Sequence, residues 1–294
     1  MTAKCPVSIL IPTRNEESNI QACLESCAFA DEVVVIDSAS SDQTVAIARR
    51  HGATVIPFSW DGNYPKKKNW ALEHVPWRHE WVFILDADER ITPRLAEEIA
   101  TEIKSPRFDG YYVNRRFWFL DGWLHHCGYY PSWNMRFFRR RLGRYEQLEG
   151  QASTRSGDNE VHEHVMLNGQ SGRLQGEMDH FAFPTIETWV EKHNRYSNWE
   201  ARFTGKSALI APSTEKLENS LFFKRLLKRL SLRVPFRPTL RFLYHYVFRQ
   251  GFLDGYRGYV FCRLMGFYEF LSVAKRAELA RSRSPHDTAT GAPR

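Results

Sequence analysis

The first hundred residues alternate short apolar runs with amphipathic segments, and that alternation leaves few folds open. Val7-Ser8-Ile9-Leu10-Ile11, Val33-Val34-Val35-Ile36, Thr54-Val55-Ile56 and Trp81-Val82-Phe83-Ile84-Leu85 read as strands, the second and fourth of them buried. Between them, Ile20, Cys23, Leu24 and Cys27 recur at helical spacing, as do Val45, Ile47 and Ala48. Ser18 with Gln21, and Ser40 with Gln43, have the spacing of capping boxes, and Gly52 suits a helix stop. Lys67 to Glu73 is expected to form a short helix. Thr92-Pro93 opens another, carrying Leu95, Ile99 and Ile103. Continuous apolar strands alternating with such helices imply an α/β fold with a parallel sheet covered on both faces.

Ligands of such sheets bind at the carboxyl ends of the strands. Polar clusters are expected there: Thr13 to Glu16, Asp37 to Asp42 and Asp86 to Glu89. Asp86-Ala87-Asp88 closes the fourth strand with two carboxylates one residue apart. Hard oxygen ligands of this kind suit Mg²⁺ or Mn²⁺, and such an ion can hold a diphosphate. Aspartates also end strands for no reason beyond solvation, so the pair alone does not decide the function.

From Asp109 the pattern changes. Tyr111-Tyr112-Val113 and Arg136-Phe137-Phe138 suggest a mixed or antiparallel extension, and Phe117 to Pro131 is loop-like. Thr185 to Phe203 predicts a helix with Ile186, Trp189, Val190 and His193 on one face. Further helices are expected over Pro238 to Phe248 and Gly255 to Lys275.

The net charge of +7 is unevenly spread. Residues 215 to 281 carry 14 Lys/Arg against 5 Asp/Glu, which gives this segment +9 and leaves the remainder at −2. The same stretch holds 14 Phe or Tyr. Lys224, Arg225, Lys228 and Arg229 share a helical face beside Leu221, Phe222, Leu226, Leu227 and Leu230. A basic amphipathic helix of this kind can lie in an anionic membrane interface. Packing against the α/β domain or a homo-oligomer interface would use the same residues. No nucleic-acid module accompanies the basic residues, so a nucleic-acid partner is not expected.

No uncharged apolar stretch approaches the ~18–20 residues that cross a bilayer. Met1-Thr2-Ala3-Lys4-Cys5-Pro6 lacks the apolar core of a signal peptide. The expected place is the cytoplasm, peripheral on the inner face of the cytoplasmic membrane. Five cysteines without disulfide-like spacing are expected as buried core thiols.

Several motifs, in order, resemble the inverting GT-A glycosyltransferases of family 2. They are Pro12-Thr13-Arg14-Asn15-Glu16, Asp37 followed by Ser41-Asp42-x-Thr44, and Asp86-Ala87-Asp88-Glu89. Lys68-Asn69, Val161-His162-Glu163, His180, Lys192-x-x-Arg195-Tyr196-Ser197 and Gly251-Phe252-Leu253-Asp254-Gly255 resemble the bacterial branch that builds lipopolysaccharide core, including its β-glucosyltransferases. The match covers roughly residues 5 to 275.

The resemblance implies a Rossmann-like, nucleotide-binding mixed sheet flanked by helices, with a C-terminal basic, aromatic-rich helical segment. It implies a catalytic domain over residues 1–205, with a nucleotide-sugar half at about 5–108 and an acceptor half at 109–205. A helical region, 206–280, and a disordered tail, 281–294, would follow. It further implies a nucleotide-sugar donor, a UDP-sugar foremost, and a glycan or lipid-linked acceptor. Pro12, Thr13, Asn15, Glu16 and Asp37 would hold the nucleoside. Asp86 would serve the nucleoside or a metal-bound water, beside Ala87. Asp88 would coordinate Mg²⁺ or Mn²⁺ across both phosphates, and Lys68 would add charge there unless the run Lys66-Lys67-Lys68 is a solvated helix start. Glu163 would be the general base, with His162, His180, Arg195 and Tyr196 on the acceptor or phosphate side.

The chain lacks the Glu-Asp base pair and the Gln-x-x-Arg-Trp signature of many family-2 members, which disfavours a processive polymerase. A nucleotidyltransferase would show a glycine-rich loop after the first strand, and here that loop has no glycine. A non-catalytic glycan- or membrane-binding scaffold on the same fold is the remaining alternative.

Overall fold

The computed structural model describes residues 4–147, 164–203 and 236–282. The chain divides into two compact units, one of Met1–Trp118 with Tyr130–Ala182, the other of Phe119–Tyr129 with Phe183–Arg294.

The first unit is built on one mixed sheet. Its strands are β1 (Cys5–Thr13), β2 (Ala30–Asp37), β3 (Thr54–Pro57), β4 (Trp81–Ile84), β5 (Glu89–Ile91), β6 (Gly110–Phe119), β8 (Trp133–Arg139) and β11 (Ser171–His180), with the two-residue β7 (Gly122–Trp123) falling in the second unit. Their order is β3-β2-β1-β4-β8-β6-β11-β5. The first four run parallel. β8 is antiparallel to both β4 and β6, β11 is parallel to β6, and β5 is antiparallel to β11. The expected mixed extension is therefore present. A separate antiparallel pair joins β9 (Gly143–Tyr145) to β10 (Val165–Leu167).

The apolar runs do not alternate because both faces of the sheet are covered. Ile9, Ile11, Val35 and Phe83 point into a core shared with α1 (Ile20–Ser26) and α4 (Pro93–Lys104). Leu10, Val34, Ile36, Val82 and Ile84 point the other way, toward Ala71 and Leu72 of α3 (Lys67–His74). Thr92 caps α4 by accepting from Leu95 N, with proline in the first turn. β11 lies so close to α4 that a Cβ at Gly176 would come within 2.5 Å of Leu95 Cα.

The two capping boxes do not form. α1 begins after Asn19, and α2 (Thr44–Arg50) begins after Gln43, neither with a side-chain cap. Ser40 is taken up by Asp37 instead, and the Asp42 carboxylate accepts from Thr44 N at 3.0 Å. Gly52 does end α2, at φ +79°. All five cysteines are free and buried.

In the second unit, helix Ile186–Phe203 packs against the long helix Gly255–Ser282. A short helix, Arg237–Leu243, runs into a π-helical turn, Tyr244–Phe248, and a 3₁₀ turn, Gly251–Asp254. Trp189, Phe119, Phe261 and Cys262 are fully buried. Asp254 holds the turn at 125–127 by accepting from His125 N, His126 N and the His126 ring. Among the described residues no helix is long and apolar enough to cross a membrane. The Lys224–Arg229 face lies outside the described residues.

Candidate active site at the carboxyl rim of the sheet

Parallel register sets Thr13 beside Asp37, so β1 and β2 end level. The Thr13 hydroxyl donates to Asp37 Oδ1 at 3.0 Å. Asp37 is buried, and it also accepts from the Ser40 hydroxyl and from Ser40 N at 2.9 Å. The loops after the two strands then interlock. Asn15 N donates to Ser40 Oγ, Ser41 N to Asn15 Oδ1, and Glu16 N to the Thr44 hydroxyl. Asn15 and Ala39 take left-handed φ values of 56° and 53°, a conformation asparagine tolerates well. Pro12, Thr13, Asn15, Glu16 and Asp37 thus form one rim in which the carboxylates are met by hydroxyl and N–H donors.

The D-x-D rim is organised by charge. Lys66, Lys67 and Lys68 are all buried, so the lysine run is not a solvated helix start. Lys67 Nζ donates to Thr13 O at 2.9 Å. Lys68 Nζ lies 3.0 Å from Asp86 Oδ1 and over the Tyr145 ring. Asn69 brackets Tyr145, donating to its carbonyl and accepting from its N–H, both at 2.9 Å. Lys68-Asn69 therefore ties α3 to Asp86 and β9 at once.

Arg136 on β8 takes the other side of Asp86, its Nη2 2.8 Å from Oδ2 and 2.7 Å from Glu89 Oε1. Glu89 is fully buried, accepts from Asp86 N at 3.0 Å and meets Arg115 at 3.5 Å. Burial would push the Asp86 carboxyl up, but Arg136 and Lys68 outweigh it and hold it well below the usual carboxylate range. Arg136 is raised in turn, its burial outweighed by Asp86 and then Glu89. Both oxygens of Asp86 are engaged by cations.

Asp88, one residue past the buried Ala87, has different company. Phe181 N donates to its carbonyl, and its Oδ2 lies 3.6 Å from His180 Nε2. The pairing of β11 with β5 sets His180 opposite Glu89 and so brings it to the D-x-D turn. Arg90 clamps that turn through Ala87 O at 2.8 Å and Asn19 O at 2.9 Å. Both Asp88 and His180 remain partly open to solvent. Among the described residues no three His, Cys, Asp or Glu converge as a closed metal cage. One carboxylate and one imidazole at a rim fit Mg²⁺ or Mn²⁺ held mainly by phosphate and water oxygens.

Comparison with known proteins gives the family. The sequence profile of glycosyl transferase family 2 matches residues 8–160, more than half of the chain. The chain belongs to glycosyl transferase family 2. It is a glycosyltransferase with a mixed sheet flanked by helices. It is 29% identical over 288 residues to the lipopolysaccharide core biosynthesis glycosyltransferase LpsC of Rhizobium meliloti, covering 94% of this chain and 93% of that one. It is 27% identical to the uncharacterized glycosyltransferase RT0209 of Rickettsia typhi, covering 93% and 87%. Among solved structures it is similar to TarS 1-349 of S. aureus, at 15% identity and a TM-score of 0.46, covering 97% and 93%.

Of the residues named from this glycosyltransferase's sequence, Lys68, Asp86, Ala87, Asp88 and His180 come together on one rim of the first unit. Arg195 and Tyr196 belong to the second unit, both exposed on helix Ile186–Phe203. His162 and Glu163 lie outside the described residues. The sequence marks Glu89 and Arg136 only as parts of the Asp86–Glu89 cluster and of a strand, and Arg115 is not singled out. Arg136 carried a legible signal, a lone cation in the apolar run of Met135, Phe137 and Phe138.

Proposed function

We propose that this glycosyltransferase moves one hexose, with inversion, from a nucleotide-sugar to a glycan acceptor carried on a lipid. The observation that carries the reading is the division of the D-x-D pair: Asp86 is neutralised by Lys68 and Arg136, while Asp88 faces His180 at a solvent-accessible rim. A diphosphate would be met there by Asp88 and His180 through Mg²⁺ or Mn²⁺. The ion's chemistry, when bound, is to neutralise charge on the departing diphosphate.

The chain's own groups do the rest. The rim of Thr13, Asn15, Glu16 and Asp37, beside Pro12, supplies acceptors and donors for a ribose and base. Lys68 acts through Asp86, fixing the turn that presents Asp88. The acceptor hydroxyl oxygen attacks the anomeric carbon as the bond from that carbon to the diphosphate oxygen breaks. The hydroxyl proton passes to a general base, assigned to Glu163, and the nucleoside diphosphate leaves. His162, Arg195 and Tyr196 are assigned to the acceptor side.

The similarity to LpsC favours lipopolysaccharide core as the acceptor class. UDP is the favoured nucleotide on the family resemblance. Such an acceptor places the enzyme at an anionic membrane surface on the cytoplasmic side. A thermal-shift panel of UDP-, GDP-, ADP- and dTDP-sugars, with and without Mn²⁺, tests the donor, because a ligand bound only by the native state raises its apparent stability. One sugar is expected to stabilise the protein only with the metal present. A flat panel would overturn the reading. Glu163→Gln should abolish transfer while that donor shift persists.

A further inference from the structure

In the second unit a row of large apolar side chains faces outward. Phe236, Leu240, Leu243, Tyr244 and Val247 fall at helical spacing along Arg237–Leu243 and the turn after it, and every one is exposed. No residue of Arg237–Leu243 is buried. An amphipathic helix of a water-soluble surface turns its apolar stripe toward the core; this one turns it away. The turns that follow add Phe248, at 77% exposure, Phe252 and Leu253. The long helix adds Tyr256, also 77% exposed, with Tyr259, Phe267 and Phe270 again at helical spacing. Exposed apolar surface of this extent marks an interaction surface.

Charge identifies the partner. Residues 236–282 carry eight Lys/Arg and three Asp/Glu. Two of those acids are already committed, Asp254 to His126 and Glu269 to Arg237. Arg249 and Arg257 are exposed beside the apolar turns, and Arg263 lies exposed in the row of Tyr259 and Phe267. Aromatic rings backed by arginines, with the one acid of residues 236–268, Asp254, already engaged, match the acyl and headgroup layers of an anionic bilayer. A second protein copy bearing the same basic face would be repelled.

We infer that the face formed by Arg237–Leu243, the turns at Tyr244–Phe248 and Gly251–Asp254, and the start of the long helix inserts shallowly into an anionic lipid surface. Phe248 and Leu253 are the deepest anchors, and the arginines meet the headgroups. The contact is monotopic, since no described helix can span. It deepens the proposed lipid-carried acceptor and rests on that reading for its purpose, but it stands or falls separately.

The test is flotation of the full chain with vesicles of phosphatidylcholine, alone or mixed with phosphatidylglycerol. The wild type is expected to float with the mixed vesicles and to be released by high salt. Phe248→Ser with Leu253→Ser should cut that partitioning at least tenfold, and Arg249→Glu should cut it severalfold. Both variants should keep the wild-type circular dichroism spectrum and the donor-induced thermal shift. Absence of wild-type flotation, or unchanged flotation of the double variant, overturns the inference. So does a wild-type dimer that the double variant dissolves without either binding vesicles. Loss of the donor shift in the wild type would strike the transfer reading instead.

Discussion

The two units break the usual rule of burial in opposite directions. The first draws ions inward: Lys68, Asp86, Glu89 and Arg136 form a chain of charges at the end of the sheet, with Glu89 fully buried. The second pushes rings outward, from Phe236 to Phe270. Ordinary folding favours neither. Buried ions lose hydration that their partners only partly return, and exposed rings forgo the burial that drives folding. In the first unit the cost sets the posture of one turn. In the second it leaves an apolar surface exposed. On the readings proposed above, these departures from the burial rule mark where each unit works, and they predict different responses to perturbation.

The sharpest way to break the comparison is Arg136→Met. It strands Asp86 and Glu89 with less positive charge, and stability should fall by about 3–5 kcal/mol, read by urea denaturation. A loss under about 1 kcal/mol would mean that the cluster does not hold the rim. Asp88→Ala should behave otherwise, because Asp88 is partly exposed and its neighbour is an imidazole. Transfer should drop about 10²–10³-fold, with the melting temperature nearly unchanged. Comparable losses of stability in both variants would erase the division of labour between the two carboxylates.

Acid should separate the units next. Burial lowers His193 and His245 to about 4, so both are neutral in the fold. The unfolded chain takes up their protons below about 6.5, so stability rises with pH between about 4 and 6.5 and falls on acidification. At pH 5 each should cost about 2 kcal/mol relative to pH 7. Asp86 runs the other way: its lowered value keeps its contribution intact above about pH 4, and it is lost only below. Hydrogen exchange at pH 7 and pH 5 should therefore loosen the second unit first. His193→Gln with His245→Gln should flatten that dependence, and an unchanged slope would refute the assignment. The smallest effect is expected at Asp37→Asn. Its partners are neutral donors, so about 1 kcal/mol of stability should go, together with weaker donor binding in the thermal-shift panel.

Much of the first unit was legible because its signal is local. Apolar runs separated by helical periods located β1 to β4 and α1 to α4, and they placed Thr13, Asp37 and Asp86 at strand ends. The capping boxes were misread because Ser40 had a stronger acceptor, the buried Asp37 carboxylate, which no local pattern reveals. β5 and β11 went unseen: one has three residues, and the other is mostly polar, Ser171–His180. The fate of His180 depended on those strands, and that of Lys68 on β9. Lys68 is buried because Asp86 and Tyr145 receive it, and His180 reaches Asp88 only through the pairing of β11 with β5.

The sequence by itself determined the order of β1 to β4 and the helices between them, the polar rim and the kind of chemistry a D-x-D turn can support. Periodicity and strand-end aspartates are properties of neighbours in the chain. Tertiary structure alone decided which aspartate is locked and which is open, which histidine stands beside it, and which apolar residues of the C-terminal helices face out. Those outcomes depend on contacts between segments 50 to 100 residues apart, such as Asp86 with Arg136 and Asp88 with His180. A carboxylate's role follows from the charges packed around it, and distant strands supply those charges.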